Sequence, residues 1–378
     1  MASLYLEELV IHSFRNWAGA RVAFSPGQNA LIGPNGAGKT SLLEAIYVLA
    51  LGRSFRSSHD ESLARWGSSG WRVEGSLRDE RGLRRVEVRW DGTRGKRIRV
   101  AGKPLPKLSA LMGKMPVILF TPDELHLLKG SPQLRRAWLD RLLMQSSPSY
   151  LEKRSRMKAA LLQRNAALRH LGKRGDRGSE EAWGALWIEA AAPVAAERQA
   201  FFLRYLPMFR EAAAAMLGTA EVDLYWQPGG GKEAEPPTSF PSHVEGWRNL
   251  LREQLEERHR EEERRLTTLV GPHRDEIHIF FRGRRARFFA SQGEQRSLVL
   301  ALKAAEIRYL QEQLGVHPVA LLDDIFSELD VSHRSRLQVM LGEEGQSFFT
   351  TTDPQWVPQD RSIRRIWVAD GAVGREDG

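Results

Sequence analysis

Apolar and polar residues alternate, imperfectly, from Leu4 to Phe14 and again from Arg21 to Phe24, before the turn residues Ser25, Pro26 and Gly27. A period of two sends successive side chains to opposite faces of an extended chain, so these segments predict two strands of a small antiparallel sheet. The short apolar run Ala30, Leu31, Ile32 predicts another strand; a glycine-rich turn follows it, and then helical periodicity runs from Ser41 to Leu51. Residues 71 to 101 alternate again, through Val86, Val88 and Trp90 and through Ile98 and Val100, and extend the antiparallel sheet.

From about Pro132 to Leu269 the pattern changes to charged, amphipathic stretches rich in Ala, Leu, Arg and Glu, interrupted at Gly172 to Gly178 and at the turn-rich segment Pro228 to Pro241. The heptads are not sustained, so a short helical bundle is expected rather than a long coiled-coil arm. Beyond it, Ile277 to Phe289 reads as a hairpin around Gly283, and Gln292 to Leu314 as a helix. Val319 to Leu322 is a fully apolar strand running into Asp323 and Asp324, and strands at Ser347 to Thr350 and Ile363 to Val368 complete an α/β sheet. The organisation expected is an N-terminal part over residues 1–131, an inserted helical lobe over 132–269, and a C-terminal part over 270–378.

Composition narrows the function classes. With 378 residues, 42% hydrophobic and 27% charged, the chain has the balance of a folded globular protein with room for more than one core. No uninterrupted apolar stretch is long enough to span a bilayer and the first residues lack the layout of a secretion signal, so a cytoplasmic location without membrane contact is expected. The absence of cysteine excludes disulfides, thiolate metal sites and cysteine nucleophiles. A net charge of +9, carried mostly by arginine, fits either a solvated arginine-rich surface or a face that binds a polyanion.

The strongest chemical signal is Gly33-Pro34-Asn35-Gly36-Ala37-Gly38-Lys39-Thr40, which fits G-x-x-x-x-G-K-[ST] between a predicted strand and a predicted helix. Glycines let successive backbone N–H groups, with the helix N-terminus and Ser41 behind them, face phosphate oxygens. Lys39 would reach the β and γ phosphates of ATP, and the Thr40 hydroxyl would ligate Mg2+. The cation needs a second hard oxygen donor at a strand end facing this loop. Asp323 supplies it, and Asp324 would polarise the attacking water as a catalytic residue alongside Lys39. The bland alternative for the pair is a helix N-cap.

Ser291-Gln292-Gly293-Glu294-Gln295 opens the long helix and admits two readings. Ser291 with Glu294 has the spacing of a capping box, and Ser291 with Gly293 at a helix start also makes a phosphate site. Arg53 and Arg56 beyond the P-loop helix, and Arg135 and Arg136, are either phosphate contacts or solvated surface. Thr351, just after the predicted strand that ends at Thr350, is a candidate sensor of the γ-phosphate.

This order of P-loop, helical insertion, serine-glycine segment, Asp-Asp strand end and Ser327-Glu328-Leu329-Asp330 resembles the ABC-type ATPase heads of the SMC and Rad-type DNA-repair proteins, and within that group the RecF family. Further matching segments are Phe14-Arg15-Asn16, Gly52-Arg53-Ser54-Phe55-Arg56, Phe120-Thr121-Pro122-Asp123, Arg135-Arg136 with Leu139-Asp140, and Gly271-Pro272-His273-Arg274-Asp275. Glu276 stands where the family pattern has a second aspartate.

The resemblance implies an α/β fold: an ABC-type P-loop ATPase head with a mixed parallel and antiparallel sheet, plus an inserted α-helical lobe. It implies weak ATP hydrolysis at a site completed by an ATP-dependent homodimer, with Ser291 acting on the nucleotide of the other copy. It also implies binding of double-stranded DNA near single-strand gaps and ss/ds junctions, partnership with RecR and RecO, help in loading recombinase, and a part in the SOS response. The competing class is an ABC-type ATPase subunit that energises a transporter or a protein machine without DNA.

Overall fold

The computed structural model describes residues 4–125, 127–174, 177–219, 221–231, 233–341, 345–357 and 362–374. They group into two compact units, the first from residues up to Leu125 together with those from Glu306 onward, the second from residues between them.

The first unit holds two six-stranded sheets. One is antiparallel, with strands in the order Trp17–Ala23, Tyr5–Phe14, Gly70–Asp79, Gly82–Asp91, Gly95–Val100 and Lys103–Pro104. The imperfect alternation of the first strand has a cause: its register against Gly70–Asp79 shifts between Leu6 and Glu8. This bulge turns both Leu6 and Leu9 to the buried face, although they are an odd number of positions apart. The buried face also carries Ile11, Val73, Leu77, Val86 and Val88.

The other sheet runs Ala372–Val373, Arg364–Ala369, Gln28–Ile32, Ser347–Thr351, Val319–Leu322 and Val117–Phe120, parallel except at its first pair. The helix Lys39–Leu51 touches strands of both sheets. Its sequence is apolar nearly all round, and Leu42 through Leu51 are all buried, as expected of a helix covered on both sides. The edge strand Val117–Phe120 was not read from the sequence, where four apolar residues after a lysine and proline gave no alternation to mark it.

The second unit is mainly helical: Pro132–Ser146, Pro148–Arg174, Arg177–Leu217 and Val244–Arg265. One of these helices is longer than the short bundle expected from the sequence. Arg177–Leu217 has 41 residues, about 60 Å of helix, and passes through Pro193 and Pro207. The interruption expected at Gly172 to Gly178 falls partly on residues 175 and 176, outside the described residues.

The segment read as wholly helical also contains a strand, Val222–Gln227, whose residues alternate buried and half-buried. It pairs antiparallel with Glu276–Phe281, and that strand pairs with Arg284–Arg285 to make the expected hairpin. The core around them is aromatic, with Trp138, Trp187, Phe201, Phe202, Tyr205, Trp226 and Trp247 all nearly or fully buried. Arg198 is a buried polar hub there, donating to Asp140 and Asp275 at 2.7 Å each and to the Tyr150 hydroxyl at 3.0 Å.

Candidate nucleotide site

Strand Gln28–Ile32 delivers the chain to Gly33 in the middle of the parallel sheet. A Cβ at Gly33 would lie 2.0 Å from the Val368 carbonyl oxygen of the adjoining strand, so only glycine lets the turn begin there. Gly38 takes φ +112° at the start of the helix, a conformation that L side chains avoid, and a Cβ on it would also meet Asn16 and Trp17.

The residues after the first strand brace this turn. Asn16 Nδ2 and the Gly371 amide donate to the Ala37 carbonyl at 3.2 and 2.9 Å, and Trp17 Nε1 donates to the Gly38 carbonyl at 3.1 Å. In a trans peptide the N–H points opposite to the C=O. Pinning those two carbonyls therefore aims the amides of Gly38 and Lys39 the other way. Lys39 Nζ donates to the carbonyls of Gly33 and Pro34 at 2.7 and 2.9 Å, closing the loop on itself. Burial lowers the Lys39 ammonium's pKa, against the pull of Asp324 and Asp323.

Strand Val319–Leu322 ends at Asp323, and Ser347–Thr351 lies between it and the P-loop strand. Thr40 Oγ1 donates to Asp323 Oδ1 at 2.8 Å, and Thr350 Oγ1 donates to the same oxygen at 3.0 Å. The Thr350 hydroxyl in turn accepts the Asp324 amide at 2.8 Å. Burial pushes the Asp323 carboxyl up, while the hydrogen bonds from Thr40 and Thr350 and the charge of Arg56 pull it down. Asp324 occupies the N-cap position of Ile325–Glu328 in a left-handed conformation, φ 50°, yet makes no side-chain cap hydrogen bond. The capping alternative for this residue therefore fails.

These residues border a cleft of about 550 Å³ lined by Asn35, Gly36, Gly38, Lys39, Thr40, Ser41, Asp324 and Thr350, with Arg15, Asn16, Arg56, Ala64, Trp66 and Thr352. That size suits a small-molecule ligand. The described residues hold no cluster of three or more acidic, His or Cys ligands. A divalent ion here would have Thr40 and Asp323 from the protein and take its other ligands from phosphate and water, the arrangement that Mg2+ favours.

The P-loop residues, Asp323 and Asp324 thus converge, as the sequence requires. Thr351 turns its hydroxyl to the Asp353 carbonyl at 3.1 Å, whereas Thr350, one position earlier, reaches the acid pair. The sequence reading also missed Glu44, a fully buried carboxylate in the P-loop helix. Arg15 grips it through two hydrogen bonds of 2.8 and 2.7 Å, and Arg56 stands 3.6 Å away. A glutamate inside an otherwise apolar helix was the available signal.

Ser291 and Gly293 lie in the second unit. The Ser291 amide and hydroxyl both donate to Glu294 Oε2 at 2.8 Å, and the Glu294 amide donates back to Ser291 Oγ at 3.3 Å, a reciprocal capping box. Gly293 is exposed, and a Cβ on it would meet nothing within 4 Å. Arg135 is not solvated: it is buried and holds Glu276 by two hydrogen bonds of 2.6 and 2.9 Å. Arg136 donates to the Asp275 carbonyl at 2.7 Å, so both arginines secure the second unit.

The family described as "RecF/RecN/SMC N terminal domain" matches residues 5–373. A protein of Moorella thermoacetica named "DNA replication and repair protein RecF" is 37% identical over 377 residues, covering 100% of this chain and 97% of that protein. Its namesake from Geobacter sulfurreducens is 38% identical over 352 residues, 93% of each. Among solved structures, the recombination mediator RecF with ATP, described as in the RecFOR pathway, superposes with a TM-score of 0.84 at 28% identity over 98% of this chain and 97% of that one. An Smc head domain from Pyrococcus furiosus shares the fold alone, with a TM-score of 0.53 at 16% identity over 98% and 95%. The chain belongs to the RecF family, with the ATPase-head fold of that group.

Proposed function

We propose that this RecF-family chain is a DNA replication and repair protein that binds and slowly hydrolyses ATP, closes into a homodimer on it, and holds double-stranded DNA while closed. The observation that carries the reading is the meeting of Thr40 and Asp323 at 2.8 Å beside Lys39, because a triphosphate and its metal need all three groups in one place. On binding, Lys39 leaves the carbonyls of Gly33 and Pro34 for the β and γ phosphates, and the amides from Gly36 to Ser41 take the other oxygens. Thr40 and Asp323 are the residues that would hold Mg2+, which would supply charge neutralisation at the phosphates. Asp324, free of any capping duty, orients and polarises the attacking water.

Ser291 and Gly293 of one copy complete the site of the other, and the two-fold pairing makes both sites equivalent. The basic balance of the chain, +9, supplies sequence-independent phosphate contacts, so affinity for duplex DNA falls steeply with salt. DNA beside single-strand gaps, RecR with RecO, recombinase loading and the SOS response complete the proposed setting, in keeping with the pathway of the RecF proteins that it resembles. The alternative, an ABC-type ATPase subunit that energises a transporter or a protein machine without DNA, is disfavoured because the related proteins are named for DNA replication and repair.

Light-scattering mass measured without nucleotide, with ADP and with ATP tests the reading, together with duplex binding across a salt series. ATP alone should double the mass, and Asp324→Asn should trap that dimer while losing about 100-fold or more in hydrolysis. A mass indifferent to ATP, or DNA affinity that neither needs ATP nor falls with salt, would refute the clamp.

A further inference from the structure

Trp66 is 100% exposed, so its ring packs against nothing in its own chain, yet it lines the same cleft as the P-loop. Placing a whole indole in water forgoes the stabilisation that burial of so large an apolar surface brings. The segment that carries it is held in place. The Arg65 amide donates to the Ser13 carbonyl at 2.8 Å and the Ser68 amide to the Arg65 carbonyl at 2.9 Å, so Trp66 sits in a hydrogen-bonded turn. Ala64 bridges Phe14, and the Arg15 amide donates to the Leu63 carbonyl at 2.7 Å. Further on, Trp71 Nε1 donates to the Asp60 carbonyl at 2.7 Å. The turn is thereby tied to the same strand end, Phe14 to Trp17, that braces the phosphate loop.

The rest of the cleft lining consists of polar side chains, glycines and Ala64, and Trp66 is the one aromatic ring among the described residues that border it. A nucleoside triphosphate carries a polyanion at one end and a flat aromatic base at the other. The P-loop answers the first and leaves the second without a partner. We propose that Trp66 is the platform on which the base of the bound nucleoside triphosphate stacks. The proposal rests on the reading of this cleft as the ATP site and adds how the base is held there. Every nucleobase has a π-face, so such a platform separates nucleotides from bare polyphosphate far more than it separates ATP from GTP.

The test is equilibrium binding of ATP, GTP and inorganic tripolyphosphate, each with Mg2+, to the full chain and to Trp66→Ala and Trp66→Phe. Trp66→Ala should weaken ATP and GTP by about 10-fold or more and leave tripolyphosphate unchanged. Trp66→Phe should restore most of the loss. Equal ATP affinity in Trp66→Ala and the unaltered chain overturns the platform, and so does a loss that tripolyphosphate shares. If ATP affinity holds but ATP-dependent association disappears, the ring belongs to an interface and the proposal is wrong. If the unaltered chain binds none of the three ligands, the reading of the cleft itself fails, and the platform with it.

Discussion

Thr40 Oγ1 donates to Asp323 Oδ1 across 2.8 Å, although the two residues are 283 positions apart in sequence. Thr350 adds a second hydroxyl to the same carboxylate oxygen from the strand between them. It also accepts the Asp324 amide, so one hydroxyl sets the position of both acids. Thr350→Val keeps the shape and removes both hydrogen bonds. We expect a 10- to 100-fold fall, roughly, in Mg2+-dependent ATP hydrolysis, with ATP binding in EDTA little changed. Hydrolysis equal to that of the unaltered chain would show that Thr350 only packs the sheet.

Lys39 makes a pH prediction. Its ammonium pKa is lowered, chiefly by burial, and the proton lost at high pH removes the charge that attracts triphosphate. ATP affinity of the unaltered chain should therefore decline with rising pH before an ordinary lysine would titrate. Lys39→Met should bind ATP weakly and show none of that decline. Calorimetric titrations over an alkaline series would read both effects, and parallel curves for the two proteins would remove Lys39 from the role.

At the start of the helix Gln292–Leu314, two neighbouring changes should behave differently. Ser291→Ala removes a capping box and should cost about 1 kcal/mol of stability, seen in denaturant melts. Gly293→Ala adds a methyl where nothing in the chain stands within 4 Å, and replaces glycine near a helix N-terminus, so stability should hold or rise slightly. If a second copy closes over this helix start, Gly293→Ala should nevertheless weaken ATP-dependent association. Normal association by this variant would leave Ser291 with its capping role alone.

His273 links the second unit to acidity. Burial pushes its pKa down to about 4, and Nε2 lies 3.0 Å from the Thr268 carbonyl, which suits a neutral ring that donates there. The unfolded chain binds this proton near pH 6.5, so unfolding takes up a proton between those values. The stability from neutral His273 is fully present above pH 6.5 and is lost as pH falls toward 4, a change on the order of 1–3 kcal/mol. His273→Gln should flatten the decline of Tm over that window. His278, also pushed down to about 4 by burial, should keep part of the slope in that variant.

Much of this molecule was legible in its sequence because local pattern and local chemistry coincide. The helix Gln292–Leu314 and the strand Val319–Leu322 fall where apolar periodicity puts them, and the motif Gly33 to Thr40 places a glycine at Gly38, where the loop takes a positive φ that other residues avoid. Tertiary structure decided which residues those elements would face. Val222–Gln227 was concealed among helices because a strand of six residues has meaning only once Glu276–Phe281 lies beside it. Thr350 rather than Thr351 reaches the acids because pairing with Gln28–Ile32 fixes the register of that strand, and one position exchanges the two faces. Glu44 and Arg15 join through a fold that brings the first strand over the P-loop helix, and Trp66 becomes notable only when its ring is found open beside the phosphate loop. Composition and motif determined what chemistry the chain carries, whereas register and burial, which depend on contacts distant in sequence, decided which side chains perform it.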